Sequence, residues 1–78
     1  DIENPKSRLY CAIAAYNAGT RSVMRTLTGQ SSISGSVNTI NRMHPNDVLR
    51  KLVRQMPSSE TRDYVNKVLS LQKNYGQL

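Results

Sequence analysis

Apolar residues recur at helical spacing along the whole chain, and this pattern predicts an all-α fold. Phe and Trp are absent and β-branched runs are short, so little in the sequence favours strands. The pattern divides into about five short helices joined by short turns. There is no internal repeat, and no linker is long enough to separate two domains. We therefore expect residues 1 to 78 to lie within a single domain.

The first predicted helix runs from about residue 5 to residue 18. Asn4 can cap its start, and Pro5 suits the first helical position because the N–H that it lacks would be unpaired there anyway. Gly19 is the residue type that closes many helices in a left-handed conformation. The spacing places four residues on the inner side of this helix: Leu9, Ala12, Ile13 and Tyr16.

Two shorter helices are predicted next. Thr20 is a candidate cap for the second helix, whose inner residues are Val23, Met24 and Leu27. The composition of residues 28 to 36, TGQSSISGS, predicts a loop. The third helix follows this loop, with inner residues Val37, Ile40 and Met43.

The fourth and fifth helices have clear start and stop signals. The fourth begins within HPND, residues 44 to 47, and ends before Pro57. Its predicted inner residues are Val48, Leu49, Leu52, Val53 and Met56. The fifth begins after Ser58 and ends at Gly76. Its predicted inner residues are Tyr64, Val65, Val68, Leu71 and Tyr75.

The chain is strongly basic, with eleven Lys and Arg residues, five Asp and Glu residues and a net charge of +6. Such a charge favours polyanions, among them nucleic acid, anionic lipid and acidic cell-wall polymers. The cations are dispersed over two helix faces rather than clustered: Arg21 and Arg25 on one, and Arg50, Lys51 and Arg54 on the other. Neither aromatic stacking groups nor a helix-turn-helix spacing accompanies them, so the pattern is more typical of solvated helix faces than of a nucleic-acid site.

The carboxylates fit structural roles. Asp47 and Lys51, like Asp63 and Lys67, have the i, i+4 spacing of helix-surface ion pairs. Glu60 lies in the first turn of its helix, where the helix dipole favours negative charge. No facing pair of carboxylates is evident, which argues against the usual two-carboxylate mechanism of glycoside hydrolysis.

Cysteine and histidine are too few to build a metal site or a disulfide. Cys11 is the only cysteine and His44 the only histidine, whereas a zinc site needs three or four ligands. We expect Cys11 to be a small buried apolar residue and His44 to be a surface turn residue. No metal and no cofactor is expected.

Two motifs carry a family resemblance. AYNAG at residues 15 to 19 resembles the central motif of the lysozyme-like lytic transglycosylases. ETRDYVNKV at residues 60 to 68 resembles their late Glu-Thr-x-x-Tyr-Val motif. In a membrane-bound branch of the family the similarity covers nearly the whole chain apart from the serine-rich loop. The further matching segments are NPKSRLY, SVMR, INRMHPNDV, PSSETRDYVNKV and QKNY.

The resemblance implies an enzyme that cleaves the β-1,4 bond between N-acetylmuramic acid and N-acetylglucosamine in peptidoglycan and leaves a 1,6-anhydromuramoyl end. In such enzymes one glutamate acts first as acid and then as base. The family places it upstream of AYNAG, in a Glu-Ser motif, whereas Glu3 is followed by Asn4. We therefore expect the chain to be the C-terminal part of the catalytic domain, without the catalytic glutamate and inactive alone.

The resemblance also implies roles for individual residues. Tyr16 and Asn17 are expected to bind the saccharide, and Tyr64 to support the upstream glutamate. The remaining motif residues are expected to be structural: Ala15, Ala18, Gly19, Glu60 and Thr61.

The partners implied are peptidoglycan glycan strands and the missing N-terminal half of the domain, but no nucleic acid. The family implies the periplasmic side of the bacterial envelope, with an outer-membrane lipid anchor outside this chain. Without its other half the chain is expected to expose apolar surface and to self-associate. The alternative hypothesis is a non-catalytic cationic helical module that binds peptidoglycan or nucleic acid.

Overall fold

Five α-helices make up the part of the chain that the computed structural model describes, residues 2 to 30 and 32 to 74, with side chains described as far as residue 71. They are α1 (Pro5–Ala18), α2 (Thr20–Thr28), α3 (Ile33–Ile40), α4 (Pro45–Gln55) and α5 (Ser59–Asn74). The all-α prediction is thereby confirmed. The predicted positions of Tyr75 and Gly76 lie outside the described residues. None of the five helices is both long enough and apolar enough to cross a bilayer.

Helix α1 lies at the centre of the fold. It packs against α2, α4 and α5, while α3 packs chiefly against α2. Its bounds agree with the prediction, and so do its start signals. The Oδ1 atom of Asn4 accepts hydrogen bonds from the backbone N–H groups of Lys6, at 2.9 Å, and Ser7, at 3.1 Å. These bonds satisfy two of the donors that the first turn leaves without helical partners.

The inner face of α1 differs from the predicted one. Its buried residues are Ser7, Cys11 and Ala14. Leu9 is 40% exposed and Tyr16 84% exposed, and Ala12 is exposed as well, so only Ile13 of the predicted stripe packs against the core. Small side chains let neighbouring helices approach closely. Because three helices surround α1, its small residues occupy the closest contacts, while Leu9 and Tyr16 are turned outward.

The connections around α2 and α3 also correct the prediction. Thr20 does not cap α2 but is its first residue, and Gly19 precedes it without a side-chain cap. Helix α2 continues to Thr28, and α3 already begins at Ile33, so most of residues 28 to 36 is helical. Helix α3 begins early because Ser32 caps it: the Ser32 Oγ atom accepts a hydrogen bond from the Gly35 N–H at 3.3 Å. The loop-like composition of this segment gave no sign of the cap.

The core draws side chains from every helix. Its buried members are Cys11, Ala14, Val23, Met24, Leu27, Ile40, Val48, Leu52, Met56 and Val65. The predicted inner residues of α2 and α4 are therefore confirmed, with Leu49 and Val53 packing partly buried at the core edge. In α5 the prediction for Leu71 is wrong, since that side chain is 45% exposed. Thr61 is buried instead, and Leu69 packs partly buried against the core.

The polar contacts of α4 differ in their partners from those expected. Asp47 forms its ion pair with Arg50, at 2.8 Å, rather than with Lys51. The Lys51 Nζ atom donates instead to the backbone carbonyl of Leu27, at 3.2 Å. That carbonyl lies at the end of α2, where helices leave carbonyls unpaired and favour positive charge. Lys51 thus joins α4 to α2.

His44 and Gly19 each stand where one helix gives way to the next. His44 is exposed, as predicted, and its Nδ1 atom caps α4 by accepting a hydrogen bond from the Asn46 N–H at 3.0 Å. Gly19 has φ 89° and ψ 151°, a combination that residues with a side chain rarely adopt. Its N–H donates to the Ala15 carbonyl at 2.8 Å, so this one residue ends α1 and turns the chain directly into α2.

Substituting Gly19 by alanine should destabilise the fold through the backbone alone. A Cβ atom there meets nothing within 4 Å, so the expected loss of about 1 to 3 kcal/mol comes from the dihedral angles. Gly29→Ala is the matched control, because Gly29 is equally open but has φ 76° and ψ 1°, a region less costly for alanine. Urea unfolding followed by circular dichroism should show the larger loss for Gly19→Ala. Equal losses would contradict this account.

The Cys11 thiol gives the fold a pH dependence. The side chain is buried as predicted, and burial raises its pKa from 9.0 to about 11. Between these values the unfolded thiol ionises while the folded one keeps its proton, so rising pH favours unfolding. The stability of the native chain should therefore fall relative to that of Cys11→Ala between pH 9 and 11, by on the order of 2 kcal/mol. Denaturant titrations at several pH values would measure this difference, and parallel curves would refute it.

Candidate functional site

The two sequence motifs meet in the structure. The Thr61 hydroxyl donates a hydrogen bond to the Asn17 Oδ1 atom at 2.6 Å, across 44 positions of sequence. Beside it the rings of Tyr16 and Tyr64 stack, with centroids 6.2 Å apart and planes inclined by 24°. Each motif thus contributes one aromatic and one polar side chain to the same place.

Helical spacing explains why these four side chains converge. Tyr16 and Asn17 lie in the last turn of α1, and Thr61 and Tyr64 in the first two turns of α5. Residues three apart share a helix face, so Thr61 and Tyr64 both reach toward α1. Because α1 and α5 pack against each other, the end of one helix and the start of the other form a single surface.

Burial divides this surface into a support and an exposed part. Thr61 is 1% exposed and Tyr64 is half-buried. Tyr16 is 84% exposed, and Asn17 is also exposed. The prediction that Tyr16 lies on the buried side of its helix is therefore wrong. Its ring is instead open to a ligand, with Tyr64 behind it.

The remaining motif residues lie around this pair of helix ends. Ala15 and Ala18 are half-buried and pack against the core. Glu60 is exposed in the first turn of α5, a position that suits a negative charge. The alanines pack between the helices, and Gly19 ends α1 directly after them. Among the AYNAG side chains, those of Tyr16 and Asn17 are the exposed ones.

The carboxylates of the described residues are all exposed: Glu3, Asp47, Glu60 and Asp63. A carboxylic acid that donates a proton near neutral pH is usually held in an apolar pocket with little water, and none of these four is. Within the same residues, no three His, Cys, Asp or Glu side chains come together as metal ligands would. The described surface thus has binding groups but no evident acid.

A cationic groove lies elsewhere, along α4. It has a volume of about 340 Å³ and is lined by Met43, Asp47, Arg50, Lys51, Arg54 and Gln55. Two of its cations already have partners within the fold, since Arg50 pairs with Asp47 and Lys51 donates to the Leu27 carbonyl. These contacts give two of the three lining cations structural roles, so we place the candidate site at the tyrosines.

The sequence motifs predicted the residues of the site, but they did not predict the hydrogen bond between Thr61 and Asn17. Tyr16, Asn17 and Tyr64 were expected there from the motifs, whereas Thr61 was expected only to be structural. Its spacing of three from Tyr64 was the available signal, because it puts both side chains on one face of α5. The partner of its hydroxyl could not be read from the sequence, since it comes from another helix.

Comparison with known proteins yields a consistent set of relatives, although no family model matches the chain. Proteins named membrane-bound lytic murein transglycosylase C are similar over nearly its whole length. The one from Pectobacterium atrosepticum is 49% identical over 74 residues, which are 95% of the chain and 20% of that relative. The one from Edwardsiella ictaluri is 44% identical over 77 residues, 99% of the chain and 21% of the relative. The Salmonella typhimurium protein is 46% identical over 74 residues, 95% of the chain and 20% of the relative.

These relatives share one name, and the chain spans about a fifth of their length. The similarity includes the stretches that carry AYNAG and ETRDYVNKV, because it extends over 95% or more of the chain. In its sequence, therefore, the chain resembles the lytic murein transglycosylases, and membrane-bound lytic murein transglycosylase C among them.

Proposed function

We propose that the chain is the C-terminal part of the catalytic domain of a peptidoglycan lytic transglycosylase, where it forms one wall of the saccharide cleft. The observation that carries the proposal is the meeting of both family motifs at the contacts Thr61–Asn17 and Tyr16–Tyr64. The names of the relatives described above support it, since each is a lytic murein transglycosylase. Murein is the proposed substrate, and the exposed Tyr16 ring offers an apolar surface for the C–H face of a sugar.

The proposed reaction breaks the bond between C1 of N-acetylmuramic acid and the oxygen at C4 of N-acetylglucosamine. A glutamic acid donates its proton to that leaving oxygen, and the resulting carboxylate then takes the proton of the C6 hydroxyl. The C6 oxygen bonds to C1 and closes the 1,6-anhydro ring, so no water is consumed. One carboxyl group therefore serves both steps.

This glutamate is proposed to lie upstream of the chain. The exposure of the four described carboxylates supports that assignment, because none is in the water-poor setting that a general acid needs. Tyr64 is half-buried behind Tyr16, which suits a hydroxyl that holds the incoming carboxyl in place. The word membrane-bound in the relatives' names supports a place in the bacterial envelope. The periplasmic side, with an anchor outside this chain, is part of the proposal.

Activity on purified murein sacculi tests the assignment of the acid. The 78-residue chain should release no anhydromuropeptides, whereas the longer protein that carries the upstream Glu-Ser helix should release them. Anhydromuropeptides from the chain alone would refute the upstream acid. Binding to sacculi without turnover by the longer protein would favour the alternative, a non-catalytic cationic module. If nuclease treatment released a partner bound to the protein, the partner of that module would be nucleic acid.

Replacing Tyr64 by phenylalanine in the longer protein tests its supporting role. The ring and its stacking on Tyr16 should remain, while the hydroxyl that holds the acid is lost. We expect kcat to fall by roughly tenfold to a hundredfold with little change in KM, and the acid limb of the pH–rate profile to shift. Tyr10→Phe is the matched control, because Tyr10 packs against the core and should keep the native rate. Equal rates for the two variants would contradict the role.

An apolar strip on α1 is evidence that another segment of the protein packs beside the site. Leu9, Ala12 and Tyr16 are exposed at spacings of three and four, so they share one side of the helix. We propose that the N-terminal half of the domain covers Leu9 and Ala12 and leaves the Tyr16 ring to the saccharide, and that the chain alone self-associates through the same two residues. Light scattering should show an average mass that rises with concentration, and Leu9→Gln should reduce the rise. A strict monomer at high concentration would count against the proposal.

A further inference from the structure

The Thr61–Asn17 hydrogen bond determines which end of the Asn17 amide faces outward. Its length, 2.6 Å, lies within the usual range of O–H···O bonds and below that of N–H···O bonds. The atom facing Thr61 is therefore the amide oxygen. Since an amide carries its oxygen and nitrogen on opposite sides, the Asn17 NH₂ group is directed away from Thr61.

Thr61 is suited to hold this orientation. A threonine hydroxyl has one hydrogen to donate, and Thr61 directs it to Asn17 from a position that is 1% exposed. The terminal torsion of an asparagine side chain is otherwise broad and roughly two-fold. An exposed asparagine without such a partner would present its oxygen and its nitrogen about equally. The buried hydroxyl removes that freedom.

We infer that Thr61 is a positioning residue that makes Asn17 a hydrogen-bond donor toward the acetamido carbonyl of an amino sugar. The inference rests on the proposed function and extends it to one chemical group. Asn17 directly follows Tyr16, whose ring is exposed and backed by Tyr64. A ligand that stacks its ring on Tyr16 while placing a carbonyl oxygen at the Asn17 NH₂ group fits this surface. An N-acetylated sugar has both features, whereas a de-N-acetylated sugar offers an ammonium group that an NH₂ donor cannot bind.

The test compares the whole chain with Thr61→Val, which keeps the side-chain shape but lacks the hydroxyl. Thr61→Ser keeps the hydroxyl and is the matched control. The two probes are tetra-N-acetylchitotetraose and its fully de-N-acetylated counterpart, titrated by NMR with the Asn17 side-chain amide and the Tyr16 ring as reporters. We expect the serine variant to bind the acetylated probe like the native chain. The valine variant should bind it roughly threefold to tenfold more weakly, with the affinity for the de-N-acetylated probe unchanged.

The same titration can overturn the inference. Native affinity of Thr61→Val for the acetylated probe would refute it, and so would equal weakening toward both probes, because that pattern reports structural damage only. Asn17→Asp provides a test that does not depend on removing a buried group, since it keeps an oxygen for Thr61 but has no NH₂ donor. It should lose the preference for the acetylated probe, and an unchanged preference would refute the inference.

The proposed function and the inference fail in different ways. If the native chain binds neither probe, the saccharide site and the role of Thr61 are both refuted. If it binds the acetylated probe through the Tyr16 ring but the Asn17 amide resonances do not move, the saccharide site stands and only the inference is refuted.

Discussion

The close packing of α1 against three other helices is the constraint on which the rest of the fold depends. It is made possible by a face of small residues, Ser7, Cys11 and Ala14, which are all buried. A bulky residue on that face would force α2, α4 and α5 apart, and in a chain this short little other apolar area is available to compensate. The same constraint leaves Leu9 and Tyr16 on the outer side of α1, so the packing that stabilises the fold also exposes Tyr16.

The binding surface follows from where this central helix ends. Gly19 stops α1 and starts α2 within one residue, so the last turn of α1 is held from its far side by α2. Helix α5 meets that turn and supplies Thr61 and Tyr64. The Thr61–Asn17 hydrogen bond comes from a buried threonine, and the Tyr16 ring lies on the exposed side. These contacts fix the side chains before any ligand binds and so lower the entropic cost of binding.

Sequence reasoning recovered the parts of this structure that depend on local signals. The bounds of α1, the cap at Asn4 and the inner face of α4 follow from residue type and spacing. His44 was expected only to be a surface turn residue, and its cap of α4 was not predicted. It was wrong about the inner face of α1 because apolar residues lie on every side of that helix, and only its neighbours decide which side is buried. The start of α3 was missed because Ser32 resembles the loop residues around it. The site residues came from motif resemblance, whereas the bond between Thr61 and Asn17 is tertiary and has no local signal.

The 44 positions between Asn17 and Thr61 also have a consequence for how the chain folds. The bond closes a loop that contains α2, α3 and α4, and the entropy of such a closure must be offset before the contact forms. During synthesis α1 emerges before α5, so Tyr16 and Asn17 lack the contacts with Tyr64 and Thr61 until α5 has followed. The two motifs therefore form a surface only after every helix between them has been placed, which makes the paired tyrosines a signature of the completely folded chain.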